Sequence, residues 1–125
     1  MKSIDVKGAI VSDSVAELYD WFGIEATNPK KVIEALRDTE EVEVNINSGG
    51  GDVFAGSEIF TALKNHKGHV TTKIVGLAAS AASVIAMGGD KVLISPTAQL
   101  MIHNVSTSIN GDYRDFNHAS DILKS

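Results

Sequence analysis

The 125-residue sequence contains no cysteine, only two prolines and no long apolar run. Without thiols, the chain forms no disulfide, has no thiol nucleophile and binds no zinc through cysteine. No window approaches the roughly 18 apolar residues that a membrane-spanning helix needs. The first residues, MKSIDVKGAIV, alternate apolar and polar positions, which is not the pattern of a secretory leader. We therefore expect a soluble cytoplasmic protein.

The sequence is also poor in aromatic residues (6%) and in basic residues, with 11 Lys and Arg against 16 Asp and Glu. Nucleic-acid recognition typically uses a basic surface with aromatic side chains that stack on bases, so we expect no nucleic-acid partner. The four histidines lack the spacing of a zinc site, and no cofactor motif is present; we expect neither metal nor cofactor. The length predicts a single domain over residues 1–125.

Strand-like and helix-like patterns alternate along the chain, which predicts an α/β fold with crossover connections. Short alternating or β-branched runs predict strands, and apolar residues at helical spacing predict helices. The predicted strands cover 4–11, 42–47, 69–75, 91–94 and 100–102, and the predicted helices begin near Asp13, Pro29, Val53, Ser80 and Asp112.

Two predicted loops follow strands and precede helices, at 47–52 (NSGGGD) and 76–80 (GLAAS). Ligands of open α/β sheets gather at the carboxyl ends of strands, so we expect both loops to share one edge. The glycine-rich loop lacks the Lys-Ser/Thr pair of a phosphate-binding loop. Taken alone, it is compatible with a site for an oxyanion or with a tight turn that needs glycine.

Ser80 is predicted at a strand-to-helix junction, where a hydroxyl serves either as a helix cap or as a nucleophile. His103, at the end of an apolar strand, is the candidate base, although a lone histidine there is commonly structural. His66, His69 and His118 have polar neighbours and are predicted to be solvated. The residues by themselves leave the role of Ser80 open.

Three ordered segments, INSGGGDVFAG, GLAASAASVIAMGG and MIHN, together resemble the Clp protease family (ClpP-like serine peptidases). The resemblance extends from Ile4 to the end of the chain and is strongest to the proteases of phages and prophages that mature the head. It implies a crotonase-like fold of repeated β-β-α units. It also implies peptide hydrolysis through an acyl-enzyme and assembly of identical subunits into rings.

The resemblance also implies roles for individual residues. Ser80 corresponds to the nucleophile and His103 to the general base, and the backbone N–H groups of Gly50 and Ala81 correspond to the oxyanion hole. The glycine-rich segment is implied to pair with an extended substrate, and this role falls on Gly49 and Gly51.

One member of the family's triad has no counterpart in the sequence. The orienting Asp is expected beyond the helix that begins near Asp112, and the sequence ends at Ser125. We expect a C-terminally truncated domain with an impaired or silent active site. The start of the chain close to the first strand makes a dedicated ATPase partner less expected. Two alternatives stay open: a non-catalytic assembly module with the same fold, and a crotonase-type acyl-CoA enzyme.

Overall fold

The computed structural model describes residues 1–102, which form a six-stranded parallel sheet with helices between the strands. The strand order is β2-β1-β3-β4-β5, and β6 pairs with the end of β4. The strands are β1 (Lys2–Ile10), β2 (Ala26–Thr27), β3 (Val42–Gly51), β4 (Val70–Ala79), β5 (Lys91–Ile94) and β6 (Gln99–Met101). The helices are α1 (Asp13–Trp21), α2 (Pro29–Leu36), α3 (Val53–Asn65) and α4 (Ala81–Ala86).

The core lies between one face of the sheet and helices α2, α3 and α4. Alternate residues of β3 are buried, namely Val42, Val44, Ile46, Ser48 and Gly50, because successive side chains of a strand point to opposite faces. Helices α3 and α4 pack on each other and on this face, and α2 packs on α3. Fully buried Ile and Val side chains each contribute about 1.5–3 kcal/mol through the hydrophobic effect.

Helix α3 begins where the sequence predicts, directly after the glycine-rich segment. The side chain of Asp52 accepts hydrogen bonds from the N–H groups of Phe54 (2.9 Å) and Ala55 (3.0 Å), which the first turn of a helix otherwise leaves unpaired. This cap positions the end of β3 relative to α3.

Helix α1 lies at the β2 edge of the sheet and buries none of its residues. Leu18, Trp21 and Phe22 are 56%, 84% and 65% exposed. Trp21 and Phe22 follow Leu18 by three and four residues, which places the three side chains on one face of the helix, and residues 1–102 leave that apolar face exposed.

The carboxylate of Asp13 connects α1 to the start of α2. It accepts hydrogen bonds from the Asn28 amide (2.8 Å) and the Lys30 N–H (2.9 Å). These two bonds hold the pKa of Asp13 below its ordinary value, because they favour the charged carboxylate.

The structure confirms the predicted α/β class with a parallel sheet and corrects several details. Residues 48–51 and 76–79, predicted as loops, continue β3 and β4, because irregular pairing extends the ladder past the points where the alternation of the sequence ends. Strands alternate with helices through β5, so the repeated β-β-α pattern is not confirmed in the described residues. The helix predicted from Asp112 lies outside them. None of the helices within 1–102 is long and apolar enough to cross a membrane.

Candidate active site

Ser80 occupies a sharp turn between β4 and α4, at the carboxyl end of β4. Its backbone angles are φ 54° and ψ −124°, a conformation typical of glycine at the first central position of a type II′ turn. A non-glycine residue held there costs of the order of 1–3 kcal/mol, and such residues cluster at functional sites. The turn therefore has the geometry of a nucleophile elbow, in which strain presents a serine hydroxyl at the end of a strand.

Strand β6 holds this turn from the side. The N–H of Ser80 donates to the carbonyl oxygen of Met101 (3.2 Å), the last residue of β6. His103, the predicted base, is two residues further along and lies outside the described residues. Its role stays a prediction.

The glycine-rich end of β3 lies directly against Ser80. Gly50 has a φ of +100°, and a methyl group added to its Cα would lie 2.7 Å from both the carbonyl oxygen of Ala79 and the Cβ of Ser80. The same methyl group would lie 3.1 Å from the backbone nitrogen of Ala81. The two segments thus share one edge of the sheet, as we expected. Only a residue without a side chain fits at position 50.

The N–H groups predicted for an oxyanion hole have different surroundings. Ala81 is the first residue of α4, so its N–H belongs to the turn that has no acceptor inside the helix. The N–H of Gly50 donates to the Ser48 hydroxyl oxygen (3.1 Å). An oxyanion would have to share or replace that acceptor. The assignment of both groups stays a prediction, as does substrate pairing by Gly49 and Gly51.

Small residues let the two helices approach closely behind the turn. A methyl group on Gly56 of α3 would lie 2.8 Å from the Cβ of Ala81 in α4. Ser83 is 2% exposed, and its hydroxyl donates to the carbonyl oxygen of Ser80 (2.5 Å). The run of Ala, Gly and Ser therefore has a packing role around a single half-buried hydroxyl, that of Ser80.

Two polar residues of β3 organise this edge and were not assigned a role from the sequence. The side-chain oxygen of Asn47 accepts from the N–H of Leu77 (3.0 Å), where the β3–β4 register shifts and Gly76 leaves room for the amide. The Ser48 hydroxyl bonds to two backbone groups. The sequence signal that could have identified them is the change from apolar residues to small polar residues at Asn47 and Ser48, near the end of the strand.

An open cleft lies at the opposite end of the strands from Ser80. It has a volume of about 1020 Å³ and lies at the amino ends of β3 and β4, where Asp38, Glu40, His66 and His69 line it. These side chains are exposed or half-buried. Across residues 1–102, no group of three His, Cys, Asp or Glu has the arrangement of a metal site. The strained turn at Ser80 and the close approach of Gly50 place the candidate site at the carboxyl edge.

Comparison with known proteins assigns the family. The model of the Clp protease family matches residues 26–125. An ATP-dependent Clp protease proteolytic subunit from Deinococcus radiodurans is 33% identical over 96 residues, which is 74% of this chain and 47% of that protein. The chain thus spans about half the length of this curated relative. Together with the α/β fold and the strained serine turn, these matches show that the chain belongs to the Clp protease family.

Proposed function

We propose that this chain provides the catalytic serine of a ClpP-like serine endopeptidase. The observation that carries the proposal is the strained backbone of Ser80 on the turn between β4 and α4, with Gly50 packed against it. A cap or a packing serine needs no such strain, whereas a nucleophile that must face an incoming carbonyl benefits from it.

In the proposed reaction, the Oγ of Ser80 attacks the peptide carbonyl carbon while His103 takes the hydroxyl proton. The tetrahedral intermediate then breaks its C–N bond, and His103 returns the proton to the departing amine. Water hydrolyses the resulting ester and regenerates Ser80. The N–H groups of Ala81 and Gly50 stabilise the oxyanion, each by about 3 kcal/mol. Gly49 and Gly51 pair with the extended substrate.

We further propose a homo-oligomer. Family membership and the apolar face of α1 support it, because large exposed apolar patches are typical of surfaces that become buried in assemblies. Light scattering on the purified chain is expected to give a mass of two or more subunits of 13.2 kDa each. A mass of one subunit at all concentrations would contradict this.

The finer assignments rest on the resemblance of the three motifs. They are a single domain over 1–125 with a crotonase-like arrangement, a cytoplasmic location, and a role in phage or prophage head maturation on a capsid or scaffold protein. The similar protein from Deinococcus radiodurans is an ATP-dependent subunit. A separate unfoldase that delivers substrate therefore stays open as the alternative to a peptidase that acts without an ATPase.

Covalent labelling tests the proposed nucleophile. The chain, and any longer product of its gene, is treated with a fluorophosphonate, digested, and the adduct is located by mass spectrometry. We expect the adduct on Ser80 and its loss in the His103→Ala variant, because the base activates the hydroxyl. Ser83 is the internal control, since its buried hydroxyl is bonded to a carbonyl.

The possible outcomes separate the three functions. An adduct on Ser80 supports the peptidase, and we expect it to be accompanied by hydrolysis of an unstructured peptide. No adduct in any form of the chain would favour the non-catalytic assembly module. Binding of a CoA thioester without peptide hydrolysis would favour the acyl-CoA enzyme.

A further inference from the structure

The hydroxyl of Ser48 connects two strands at the candidate site. Ser48 is 3% exposed and lies on the buried face of β3. Its hydroxyl donates to the carbonyl oxygen of Gly8 (2.6 Å) and accepts from the N–H of Gly50 (3.1 Å). A carbonyl only accepts and an N–H only donates, so the direction of both bonds is defined.

Both partners of this hydroxyl lie where the backbone is irregular. Gly8 has a φ of +71°, and the pairing of β1 with β3 shifts register between Lys7 and Ala9. Gly50 has a φ of +100°. Irregular pairing leaves backbone groups without their regular ladder partners, and buried groups of this kind need another partner. The Ser48 hydroxyl supplies that partner to one group on each strand.

The position of Gly50 in turn affects Ser80. The close approach of Gly50 to Ala79, Ser80 and Ala81 means that a rotation of the Gly49–Gly50 peptide changes the space in front of the serine. Ser48 does not contact the reacting atoms itself. It acts on Gly50, whose N–H the oxyanion of the proposed reaction shares with the Ser48 hydroxyl.

We propose that Ser48 is a positioning residue for acylation of Ser80: its hydroxyl anchors Gly50 to β1 and so sets the geometry of the glycine-rich end of β3 against the nucleophile. The proposal rests on the proposed function of Ser80. Without the hydroxyl, the Gly8 carbonyl and the Gly50 N–H lose a buried partner, and this end of β3 relaxes toward other acceptors.

Four variants isolate the hydroxyl. Ser48→Ala removes it, Ser48→Thr keeps it, and Ser48→Val has the shape of threonine without the hydroxyl. Thr72→Val is the matched control, because Thr72 is 0% exposed and donates a bond of the same 2.6 Å length to the carbonyl of Ala86, away from Gly50. For each variant, the second-order rate of fluorophosphonate labelling at Ser80 is measured together with Tm, at temperatures where the variant is folded.

We expect Ser48→Ala and Ser48→Val to label about 10- to 100-fold more slowly than the original chain, because small displacements of a catalytic group have effects of this size. Ser48→Thr should label at least several-fold faster than Ser48→Val. Thr72→Val should lower Tm without changing the labelling rate.

Equal rates for Ser48→Thr and Ser48→Val would overturn the proposal, and this pair decides the question even if Ser48→Ala does not fold. Labelling of Ser48→Ala at the original rate would overturn it as well, as would an equal loss in Thr72→Val. Failure of the unsubstituted protein to label at Ser80 in every form, including any longer product of its gene, would overturn the proposed function itself, and the role of Ser48 in acylation with it.

Discussion

Ser80→Gly is expected to raise Tm while it abolishes labelling and peptide hydrolysis. Ser80 has a φ of 54° and a ψ of −124°, angles that glycine adopts without a steric penalty. Release of about 1–3 kcal/mol of strain is partly offset by about 0.5–1 kcal/mol for the greater freedom of glycine in the unfolded chain. A net gain of about 1 kcal/mol corresponds to a Tm increase of about 3–5 °C.

Ser80→Ala is the control that separates strain from chemistry. Alanine keeps a Cβ, and therefore the strain, but lacks the hydroxyl, so we expect an unchanged Tm and no labelling. Removal of the nucleophile in a known serine protease lowers kcat by about 10⁶-fold, and we expect residual hydrolysis at or near background. Thermal unfolding followed by circular dichroism, with a peptide assay on the same samples, measures both effects. A Ser80→Gly variant less stable than Ser80→Ala would contradict the strain argument.

Gly50→Ala is expected to eliminate labelling of Ser80 and to destabilise the fold. The added methyl group would lie 2.7 Å from the Ala79 carbonyl oxygen and from the Ser80 Cβ, and the φ of +100° is strained for any residue with a side chain. Backbone strain of this kind costs about 1–3 kcal/mol, and the steric conflict with Ala79 and Ser80 adds to it. We expect labelling to fall by more than about 100-fold, because the substitution acts on the turn that holds the nucleophile.

Gly49→Ala provides a closely matched control. No atom beyond the two adjoining residues lies within 4 Å of a methyl group added at Gly49, and its φ is outside the left-handed region. The pairing proposed for Gly49 uses its backbone groups, which alanine keeps and which a small fluorophosphonate does not need. We therefore expect an unchanged Tm and a labelling rate within a few-fold of the original, so that the two neighbouring glycines differ sharply. Similar losses in both variants would indicate that general disruption of the segment, and not contact between Gly50 and Ser80, controls the site.

The sequence predicted the class of the fold and the common position of the two chemical segments. The change from period-two to helical patterns located the helices that begin near Asp13, Pro29 and Val53, and Asp52 caps α3 as its position before the apolar run suggests. The carboxyl-edge rule for parallel strands predicts that Gly50 and Ser80 lie at the same edge of the sheet. These features are local, or follow from topology alone.

The sequence did not predict the extension of β3 and β4 into the glycine-rich and alanine-rich segments. Their pairing depends on register shifts, which are made possible by Gly8, Gly76 and the side chain of Asn47 on neighbouring strands. A propensity-based prediction ends a strand where glycines begin, because glycine weakens strands on average. In this protein, pairing with neighbouring strands that are distant in sequence keeps the glycine-rich and alanine-rich segments in the sheet.

The sequence by itself determined which residues are candidates for the chemistry: a serine after one strand, a glycine-rich segment after another, and an imidazole later in the chain. The tertiary structure alone decided that Ser80 is held in a strained conformation, that Gly50 touches it, and that the Ser48 hydroxyl joins Gly50 to β1. The physical reason is that positive φ values and hydrogen bonds between strands arise from contacts between segments about 30–40 residues apart, whereas residue type and spacing are properties of each segment alone.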